Sequence, residues 1–386
     1  MESSFNIWMI TKWYPNREDP QIGVFIQKHA KAISYYNNVN VLYIHSQNNL
    51  LKKFEIVQNE NGQLNEILIY YRKDTSLLSK IINPVLYLLA LSKGIQLLEK
   101  KEKKPDIIHA YILTRTGFIA WYLSKRKRIP YIISEQWSGF VSGKYLKKSL
   151  LKKSITGFVV RKSKAVTCVS QFLSDRMKNC GLENNLYCVI PNVIETPLTA
   201  KSLKHNDAVN VLLVADLVDE IKNISSVIKM INNVEEEITF SLSIIGGGPD
   251  ETMLKKLASN FNLLDKKVFF LGQKVNEEVY SHLLQSDFLI MNSRYETFSL
   301  ICAEAMSCGI PVLATRCGGP DEFVTDDTGI LIDSDNEELL KNNFIYMLRN
   351  FKKFDSQKIK EYAMERFSKE KAGIAFQKLY STVINQ

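Results

Sequence analysis

The sequence predicts an α/β protein of two domains, each built on a mainly parallel sheet. Short apolar runs rich in Val, Ile and Leu alternate with longer runs of helical character, and this alternation occurs twice along the chain. Strands that alternate with helices imply βαβ units, and such units build parallel sheets. The length of 386 residues is enough for two domains of ordinary size.

The first half of the chain contains one set of these runs. Its strand-like segments are FNIWMI, NVLYIH, PDIIHAY, IPYIISE and KAVTCVS. Its helix-like segments are GVFIQKHAKAIS, which begins at Gly23, FIAWYLSKRKR and QFLSDRMKNCG. A strand and a proline in YCVIPNVIETP close this half, and a polar stretch without periodicity follows to Asn206. We interpret that stretch as the linker between the domains.

The second half repeats the arrangement. Its strand-like segments are AVNVLLVAD, TFSLSII, KVFFLG, DFLIMN and PVLAT, with helical runs such as KNISSVIKMI between them. We therefore expect two Rossmann-like domains, at 1–192 and 193–368, whose parallel sheets face across a cleft. Ligands of such sheets bind beyond the carboxyl ends of the strands, so we expect the ligand site in that cleft.

Membrane-spanning and secretory segments are not predicted. The N-terminal MESSFNIWMITKWYP has only a six-residue apolar run and no small-residue cleavage site, so it is interpreted as the first strand. The stretch IINPVLYLLALSKGIQLL, from Ile81, is interrupted by Asn, Pro, Lys and Gln, which favours an amphipathic helix. The six cysteines form no CxxC pair and are interpreted as reduced thiols of a cytoplasmic protein.

Positive charge is concentrated in the first half of the chain. Residues 1–192 carry 29 Lys and Arg against 13 Asp and Glu, whereas the remainder carries 21 against 28. In GKYLKKSLLKKSITGFVVRKSK, from Gly143, lysines interleave with apolar residues, which suits an anionic membrane surface. The alternative is a solvated helix face. Nucleic acid is disfavoured because no recognition module is present and the aromatic residues are not arrayed for base stacking.

A glycine run, Gly246 to Gly248 in IIGGGPDE, lies between a strand and a helix. It invites comparison with dinucleotide-binding loops, but the spacing is not GxGxxG and no second half of that motif follows. A tight strand-to-helix turn explains the run equally well, so a nicotinamide-dependent oxidoreductase is poorly supported.

Two glutamates in RYETFSLICAEAMSCGIPVLAT raise a physical problem. Glu296 and Glu304 stand eight residues apart in a segment that is mostly apolar and small. A buried carboxylate without a partner costs several kcal/mol or becomes neutral. Either a charged or hydroxylated group meets the two side chains, or they are not buried. The structural alternative is that they bond to the backbone or to Arg294 and Arg316.

The segment ETFSLICAEAMSCGIPVLATRCGGPDEFVTDDTGILI resembles the donor-site signature of glycosyltransferase family 4, which has the GT-B fold. The signature includes the two glutamates, Cys308-Gly309, Pro311-Val312, Gly318-Gly319 with Glu322, and Thr328-Gly329. Looser matches in family order are DPQIGVFIQKHAKAI, PDIIHAY, VIPNVIE, IKNISSVI and VFFLGQK. The resemblance covers nearly the whole chain and is strongest from Val211 to Ile332. It implies that the last helix, about 369–386, packs back on the N-terminal domain.

The resemblance implies a nucleotide-sugar site in the C-terminal domain. Glu296 would bind hydroxyls of the donor sugar and Glu304 the ribose, since carboxylates accept strong charge-assisted hydrogen bonds. The N–H groups at the start of the following helix would bind the diphosphate. Those N–H groups belong to Phe298, Ser299 and Leu300.

Further donor contacts are implied outside that helix. Lys222, expected at a helix start, would bind the diphosphate and stabilise the leaving group. The loop with Lys274 and Val275 would contact the nucleotide base. The family usually has an arginine where this chain has Asp216, and Arg294 is a candidate to replace its charge.

Three positions of the N-terminal domain are candidates with open alternatives. His109 is a candidate catalytic residue or a structural hydrogen-bonding group. Gln136 stands where relatives commonly carry histidine, and glutamine cannot act as a base. Gly23 permits close approach of backbone to phosphate, or simply begins a helix.

We expect a retaining glycosyltransferase that moves a sugar from a UDP- or GDP-sugar to a hydroxyl of a glycan or polyprenyl-linked acceptor, in surface polysaccharide or glycoconjugate biosynthesis. No metal and no cofactor besides the donor are expected, and Asp333 to Asp335 is interpreted as a turn and helix cap. Location is expected to be cytoplasmic, peripheral on the inner face of the plasma membrane. The alternatives are another GT-B enzyme, such as a sugar-nucleotide epimerase or a phosphorylase, and a non-catalytic sugar-nucleotide or glycan-binding protein.

Overall fold

The computed structural model describes residues 4–101, 104–113, 115–195, 208–234 and 238–385. The chain divides into a first unit, Met1–Val169 with Ser174–Val193 and Lys369–Gln386, and a second unit, Ser170–Leu173 with Ile194–Ser368. The predicted boundaries were 192/193 and 368/369, and the largest difference is the four-residue segment Ser170–Leu173. The predicted linker falls largely on 196–207, outside the described residues.

The sheet of the first unit has eight strands in the order β3-β4-β2-β1-β5-β6-β7-β8. All neighbouring strands are parallel except β3 and β4, which form an antiparallel pair at one edge. The strands are β1 Asn6–Thr11, β2 Asn38–Gln47, β3 Phe54–Asn61, β4 Leu64–Arg72, β5 Ile107–Tyr111, β6 Tyr131–Glu135, β7 Ala165–Cys168 and β8 Tyr187–Val189. The β3–β4 hairpin was not predicted, although the Asn61-Gly62 pair at its turn is a hairpin signal.

The helices of the first unit are α1 Val24–Ser34, α2 Ser79–Lys101, α3 Arg115–Lys127, α4 Leu150–Lys162, α5 Gln171–Asn179, which begins in the Ser170–Leu173 segment, and α13 Lys369–Ile384. Three of them, α2, α3 and α4, lie side by side. Helices α2 and α3 are joined by an ion pair of 2.5 Å between Glu99 and Lys127. The rings of Trp121 on α3 and Phe158 on α4 meet edge to face, with centroids 5.1 Å apart.

The apolar stretch from Ile81 forms part of α2. Among the described residues, α2 is the one helix with the length and composition to cross a membrane, with a mean hydropathy of 1.5 and 33% of the window buried. A core helix of a soluble protein passes the same test, so this is weak support for a span. Ile81, Val85 and Leu88 are more than half exposed at spacings of four and three residues, which gives the helix one exposed apolar face.

The sheet of the second unit has six parallel strands in the order β11-β10-β9-β12-β13-β14. These are β9 Val209–Val214, β10 Phe240–Ile245, β11 Val268–Gly272, β12 Phe288–Met291, β13 Val312–Arg316 and β14 Gly329–Asp333. The helices are α6 Asp219–Lys222, α7 Ile224–Asn232, α8 Glu251–Asn260, α9 Asn276–Leu284, α10 Leu300–Ser307, α11 Glu337–Asn350 and α12 Ser356–Phe367. The predicted α/β class with two mainly parallel sheets is confirmed.

The sequence suggested that Lys222 begins a helix, and the structure shows that it does not. It is the last residue of the one-turn helix α6, and α7 begins two residues later at Ile224. Asn223 between them has a left-handed backbone, with φ of 49°, which ends one helix and starts the next. The run IKNISSVI therefore contains the end of α6, with Lys222, and the start of α7, separated by the left-handed Asn223.

Gly23 precedes α1 with a φ of 70°. A Cβ atom there would lie 2.6 Å from the Trp13 carbonyl carbon and 2.7 Å from the Tyr14 nitrogen, so the loop after β1 requires glycine. The close approach is made by the chain's own backbone, and the predicted approach to phosphate stays a prediction.

We predict that Gly23→Ala destabilises the protein by clearly more than Gly62→Ala. Gly62 also has a positive φ, of 58°, but nothing lies within 4 Å of the place that an alanine methyl group would take. The control substitution should cost about 1 kcal/mol for the left-handed backbone, whereas Gly23→Ala adds the overlap with Trp13. Urea unfolding of both variants measures the difference, and equal losses would contradict the steric argument.

Candidate active site

An ion pair between Lys222 and Glu296 lies at one edge of the second sheet. Strands β9 and β12 are parallel neighbours, so the segments that follow them emerge at the same edge. The first carries Lys222 and the second carries Glu296, and Nζ lies 2.5 Å from Oε1. The Ser293 hydroxyl donates to the same carboxylate oxygen over 2.9 Å. Two residues predicted to bind donor are therefore in direct contact.

Arg294 holds the α6 turn in place. Its guanidinium donates to the carbonyls of Asp219 and Glu220 over 3.0 Å each, and to Asn223 Oδ1 and Asp335 Oδ1 over 2.9 Å each. With four acceptors, the side chain is engaged in positioning Lys222. Its predicted role as a substitute phosphate-binding cation has no support in this arrangement.

The Lys222 ammonium stays charged despite its burial. Burial acts to lower its pKa, but the Glu296 carboxylate, its hydrogen bond and the charge of Asp216 outweigh that effect, so the pKa is raised above the usual value. Asp216 therefore contributes a second negative charge near the lysine, at the position where the family usually has an arginine.

The start of α10 is built by an unusual backbone. Ser299 precedes the helix with a left-handed φ of 73°, and the backbone of Glu296 is fixed by hydrogen bonds with Cys317 and Gly319. A Cβ at Gly319 would lie 2.4 Å from the Phe298 Cα, so this approach requires glycine. The first N–H groups of a helix have no partner within it, which leaves the Ser299–Leu300 end suited to an anion.

Glu304 lies one turn further along α10 and is only 7% exposed. Its charge acts together with burial to raise the pKa of Tyr280, whose hydroxyl accepts a 3.2 Å hydrogen bond from the Glu195 N–H. The two arginines suggested as alternative partners pair with other carboxylates: Arg294 Nε lies 2.9 Å from Asp335 Oδ1, and Arg316 Nε lies 3.9 Å from Asp333 Oδ1. The ribose contact stays a prediction.

The loop predicted to contact the base follows β11. Lys274 Nζ lies 3.2 Å from Glu278 Oε1, and the Val275 N–H donates to the other oxygen of that carboxylate over 3.2 Å. Because β11 is separated from β9 by β10, the loop lies two strands away from Lys222 along the same edge. The base contact stays a prediction.

A narrow recess adjoins the ion pair. It is lined by Lys222, Asn292, Ser293 and Glu296 together with apolar residues, and its accessible volume of about 10 Å³ is room for about one water molecule. Among the described residues, no group of three His, Cys, Asp or Glu side chains could hold a metal ion.

The sequence left His109 open between a catalytic and a structural role, and its contacts fit the structural one. The side chain is fully buried, with Nδ1 2.7 Å from the Tyr380 hydroxyl of α13 and Nε2 2.6 Å from the Ser134 hydroxyl of β6. Burial, and to a smaller extent the nearby His29, holds the pKa of His109 well below its usual value. Both ring nitrogens are used within the core, so the imidazole ties α13 to the sheet.

His29 is a second buried histidine, one that the sequence reasoning missed. Its ring nitrogens lie 3.1 Å from the Tyr111 hydroxyl and 3.0 Å from the Pro191 carbonyl oxygen. Burial lowers its pKa to about 4 despite the hydrogen bond to Pro191. The only sequence signal was its position on the apolar face of the helix that begins after Gly23.

Glu135 is a buried carboxylate that the sequence reasoning also passed over in favour of Gln136. It ends β6 and accepts hydrogen bonds of 2.8 Å from the N–H groups of Leu113, Gln136 and Trp137. Burial raises its pKa, against the effect of those three donors and of Lys12. An acidic residue directly after the apolar run IPYIIS was the available signal.

Cations surround Glu135 at the carboxyl edge of the first sheet. Lys12 follows β1, and Arg115 begins the helix after β5, the strand between β1 and β6. Burial lowers the pKa of both Lys12 and Lys148, and the charges of Glu135 and of neighbouring cations act on each. The Gln136 side-chain nitrogen is buried here without a hydrogen-bond partner among the described residues. This edge therefore has an excess of positive charge.

Glu322 of the glycine-glycine motif caps a helix. Its carboxylate accepts hydrogen bonds from the N–H groups of Gln171 over 2.9 Å and Phe172 over 2.6 Å, at the start of α5. The Ser170 hydroxyl donates to the Thr297 carbonyl over 2.6 Å. These bonds explain why Ser170–Leu173 groups with the second unit, which the sequence did not indicate.

The sequence of this chain matches two protein-family models. The model for glycosyl transferases group 1 matches residues 196–366, and the model for glycosyltransferase family 4 matches residues 58–197. Together they span most of the sequence. The chain belongs to glycosyltransferase family 4, with the GT-B fold, and is a transferase.

Individual relatives agree with that family. The chain is 27% identical over 278 residues to an uncharacterized glycosyltransferase of Methanocaldococcus jannaschii, covering 71% of this chain and 75% of the relative. It is 26% identical to N-acetyl-alpha-D-glucosaminyl L-malate synthase of Bacillus anthracis, covering 59% of this chain and 62% of the relative. The fold also matches Anabaena HepE in complex with UDP and glucose, with a TM-score of 0.73 at 16% identity, covering 98% and 100% of the two chains.

We predict that the protein loses stability between pH 7.5 and pH 5, in part through His29. Above pH 6.5, the pKa of His29 in the unfolded chain, the ring is neutral in both states and does not affect the free energy of unfolding. As the pH falls from 6.5 toward the folded-state pKa of about 4, only the unfolded chain takes up the proton, which favours unfolding. By pH 5 this linkage amounts to about 2 kcal/mol. Urea unfolding at both pH values should show a smaller pH-dependent loss in His29→Gln than in the native protein. Parallel losses would contradict the assignment.

Proposed function

We propose that the protein is a retaining glycosyltransferase that transfers a sugar from a UDP- or GDP-sugar to a hydroxyl of a glycan or lipid-linked acceptor. The observation that carries this proposal is the contact of Lys222 with Glu296 beside the start of α10. A cation, a carboxylate and free helix N–H groups at one edge are the three kinds of group that a sugar diphosphate needs. The solved fold relative with UDP and glucose supports the donor class.

We propose that donor binding separates the ion pair and gives Lys222 and Glu296 new partners on the donor. Without donor, Lys222 and Glu296 neutralise each other, which avoids an unpaired charge in a partly buried site. With donor, the ammonium would turn to the diphosphate, and Glu296 would accept hydrogen bonds from the sugar hydroxyls. Arg294 would keep the α6 turn in position during the exchange. No divalent ion and no further cofactor are part of this proposal.

Transfer would proceed on one face of the sugar. The bond between the anomeric carbon and the phosphate oxygen breaks, the acceptor oxygen bonds to the same face of that carbon, and the acceptor proton passes to the leaving phosphate. No protein base is required, which fits Gln136 and the buried His109. Lys222 would stabilise the charge that develops on the leaving diphosphate.

We propose that the first unit binds an acceptor with an anionic group. Lys12, Arg115 and Lys148 offer more positive charge than Glu135 balances, at the edge where ligands of such sheets bind. A relative is named for a product that joins N-acetylglucosamine to malate, a dicarboxylate, which supports an anionic acceptor. Surface polysaccharide or glycoconjugate biosynthesis is the proposed role.

We propose that the layer of α2, α3 and α4 rests on the cytoplasmic face of an anionic membrane. Its exposed apolar side chains are Ile81, Val85, Leu88, Phe118, Tyr122, Leu150, Leu151 and Phe158. The last turns of α3 and α4 carry lysines and arginines. An apolar face flanked by cations is what an anionic membrane interface binds. An epimerase, a phosphorylase or a binding protein is not favoured, because the named relatives are transferases or synthases.

Lys222→Ala is expected to lower kcat at least tenfold, because the variant loses the cation that stabilises the leaving diphosphate. Lys255→Ala is the matched control, since it removes a lysine from the exposed ion pair with Glu251 in the same unit. Glu296→Gln, which keeps the side chain's shape, should also lose activity. Turnover with candidate donors and the anomeric configuration of the product by NMR are the readouts. Near-normal turnover of folded Lys222→Ala, or an inverted product, would overturn the mechanism.

Calorimetric titration with UDP, GDP and ADP should show binding of one nucleotide, weakened about tenfold or more in Glu304→Gln. A hydrogen bond to a charged group contributes about 1.5–3 kcal/mol, and the substitution removes that charge. Glu337→Ala, at the exposed start of α11, should bind as the native protein does. Unchanged affinity in the Glu304 variant would move the ribose away from α10.

A further inference from the structure

The first unit contains a cavity that the proposed transfer reaction does not use. It lies where β6 and β7 begin, the edge opposite to the carboxyl ends that carry Lys12 and Glu135. Its volume is about 460 Å³, within the range of small-molecule sites. Part of its wall is apolar and comes from Ile129, Pro130 and the end of α13.

The polar lining of this cavity is cationic. Lys125, Arg128, Lys162 and Lys164 line it, and none of the described lining residues is acidic. Within the described part of the chain, none of these four forms an ion pair with a carboxylate. The indole nitrogen of Trp121, another lining residue, is buried and has no hydrogen-bond acceptor among the described groups. Four cations match the oxygens of a phosphate group.

Two exposed apolar stripes lead to this cavity. On α3, Phe118, Trp121, Tyr122 and Lys125 follow the spacing i, i+3, i+4, i+7, which places them on one side of the helix. Phe118 and Tyr122 are exposed, and Lys125 lines the cavity.

The second stripe runs along α4. Leu151, Ile155, Phe158 and Lys162 are spaced by four, three and four residues, so they also share one side of their helix. Lys162 lines the same cavity. Because Trp121 packs on Phe158, the two stripes form a continuous apolar surface that ends in a basic cavity.

We propose that this cavity binds the phosphodiester headgroup of an anionic phospholipid, with the lipid's apolar part against the α3 and α4 stripes. The inference rests on the membrane association proposed above and assigns it a specific lipid site. A free phosphate would use the four cations alone, whereas a phospholipid also accounts for exposed Phe118, Tyr122 and Phe158 beside them. Headgroup binding at the amino-terminal edge leaves the carboxyl edge open to acceptor.

The test is sedimentation of the full chain with vesicles of phosphatidylglycerol and phosphatidylcholine, compared with phosphatidylcholine alone. Lys162→Ala/Lys164→Ala should weaken binding to the anionic vesicles about tenfold or more, since each basic group near the headgroups contributes about fivefold. The matched control, Lys52→Ala/Lys53→Ala, removes two exposed lysines between β2 and β3 of the same unit and should lose clearly less. Transfer to a soluble acceptor should be unchanged in both double variants.

A second measurement uses the tryptophan as a reporter. Monomeric short-chain phosphatidylglycerol should produce a saturable fluorescence change that Trp121→Phe abolishes and inorganic phosphate does not reproduce at equal concentration. Equal losses in the two lysine variants, or an equal response to inorganic phosphate, would overturn the lipid site while leaving membrane association intact. No vesicle binding by the native protein would overturn both membrane proposals, and the glycosyltransferase proposal would be unaffected because its test needs no membrane.

Discussion

The ion pair between Lys222 and Glu296 is the interaction on which the second unit's site depends. Each partner is mostly buried, with 22% and 16% of its side chain exposed, so removing one leaves an uncompensated charge. The turn that carries the lysine is held by Arg294, and the segment that carries the glutamate is held by backbone bonds to Cys317 and Gly319. The Gly318-Gly319 motif and Arg294 thus act by bringing two opposite charges to one edge of the sheet.

Periodicity predicted the fold well because its physical basis is local. Strands buried on both faces read as apolar runs, and the helices between them follow from the same burial. In the β3–β4 hairpin, the outer strand β3 is polar and largely exposed, so no apolar run marks it, whereas the apolar run of β4 and the Asn61-Gly62 pair were signals that went unused. The break at Asn223 was missed because the helical pattern of IKNISSVI continues through a residue whose backbone is left-handed.

The site could be predicted only as far as residue types and order allow. Glu296 and Lys222 are separated by 74 positions in the chain, and their contact arises because β9 and β12 are neighbours. No spacing in the sequence shows that Arg294 would be occupied by two carbonyls, or that Glu322 would cap α5. The role of His109 was left open because a histidine in the run IIHAY gives no sign of whether its ring nitrogens face solvent or Tyr380.

Positive charge dominates at both edges of the first unit's sheet, which fits the proposal of an enzyme that acts on an anionic substrate at a membrane. The carboxyl edge has Lys12, Arg115 and Lys148 with one buried carboxylate, Glu135, whereas the amino edge has four cations and no acid among the described lining residues. Helices α3 and α4 run between these edges, because each starts after a strand ends and finishes before the next begins. Their exposed apolar side chains therefore connect one basic edge to the other. If these helices rest on a membrane as proposed, a lipid-linked acceptor would reach the carboxyl edge by diffusion within the membrane plane. The phosphate of that acceptor would meet the cations there without leaving the membrane interface.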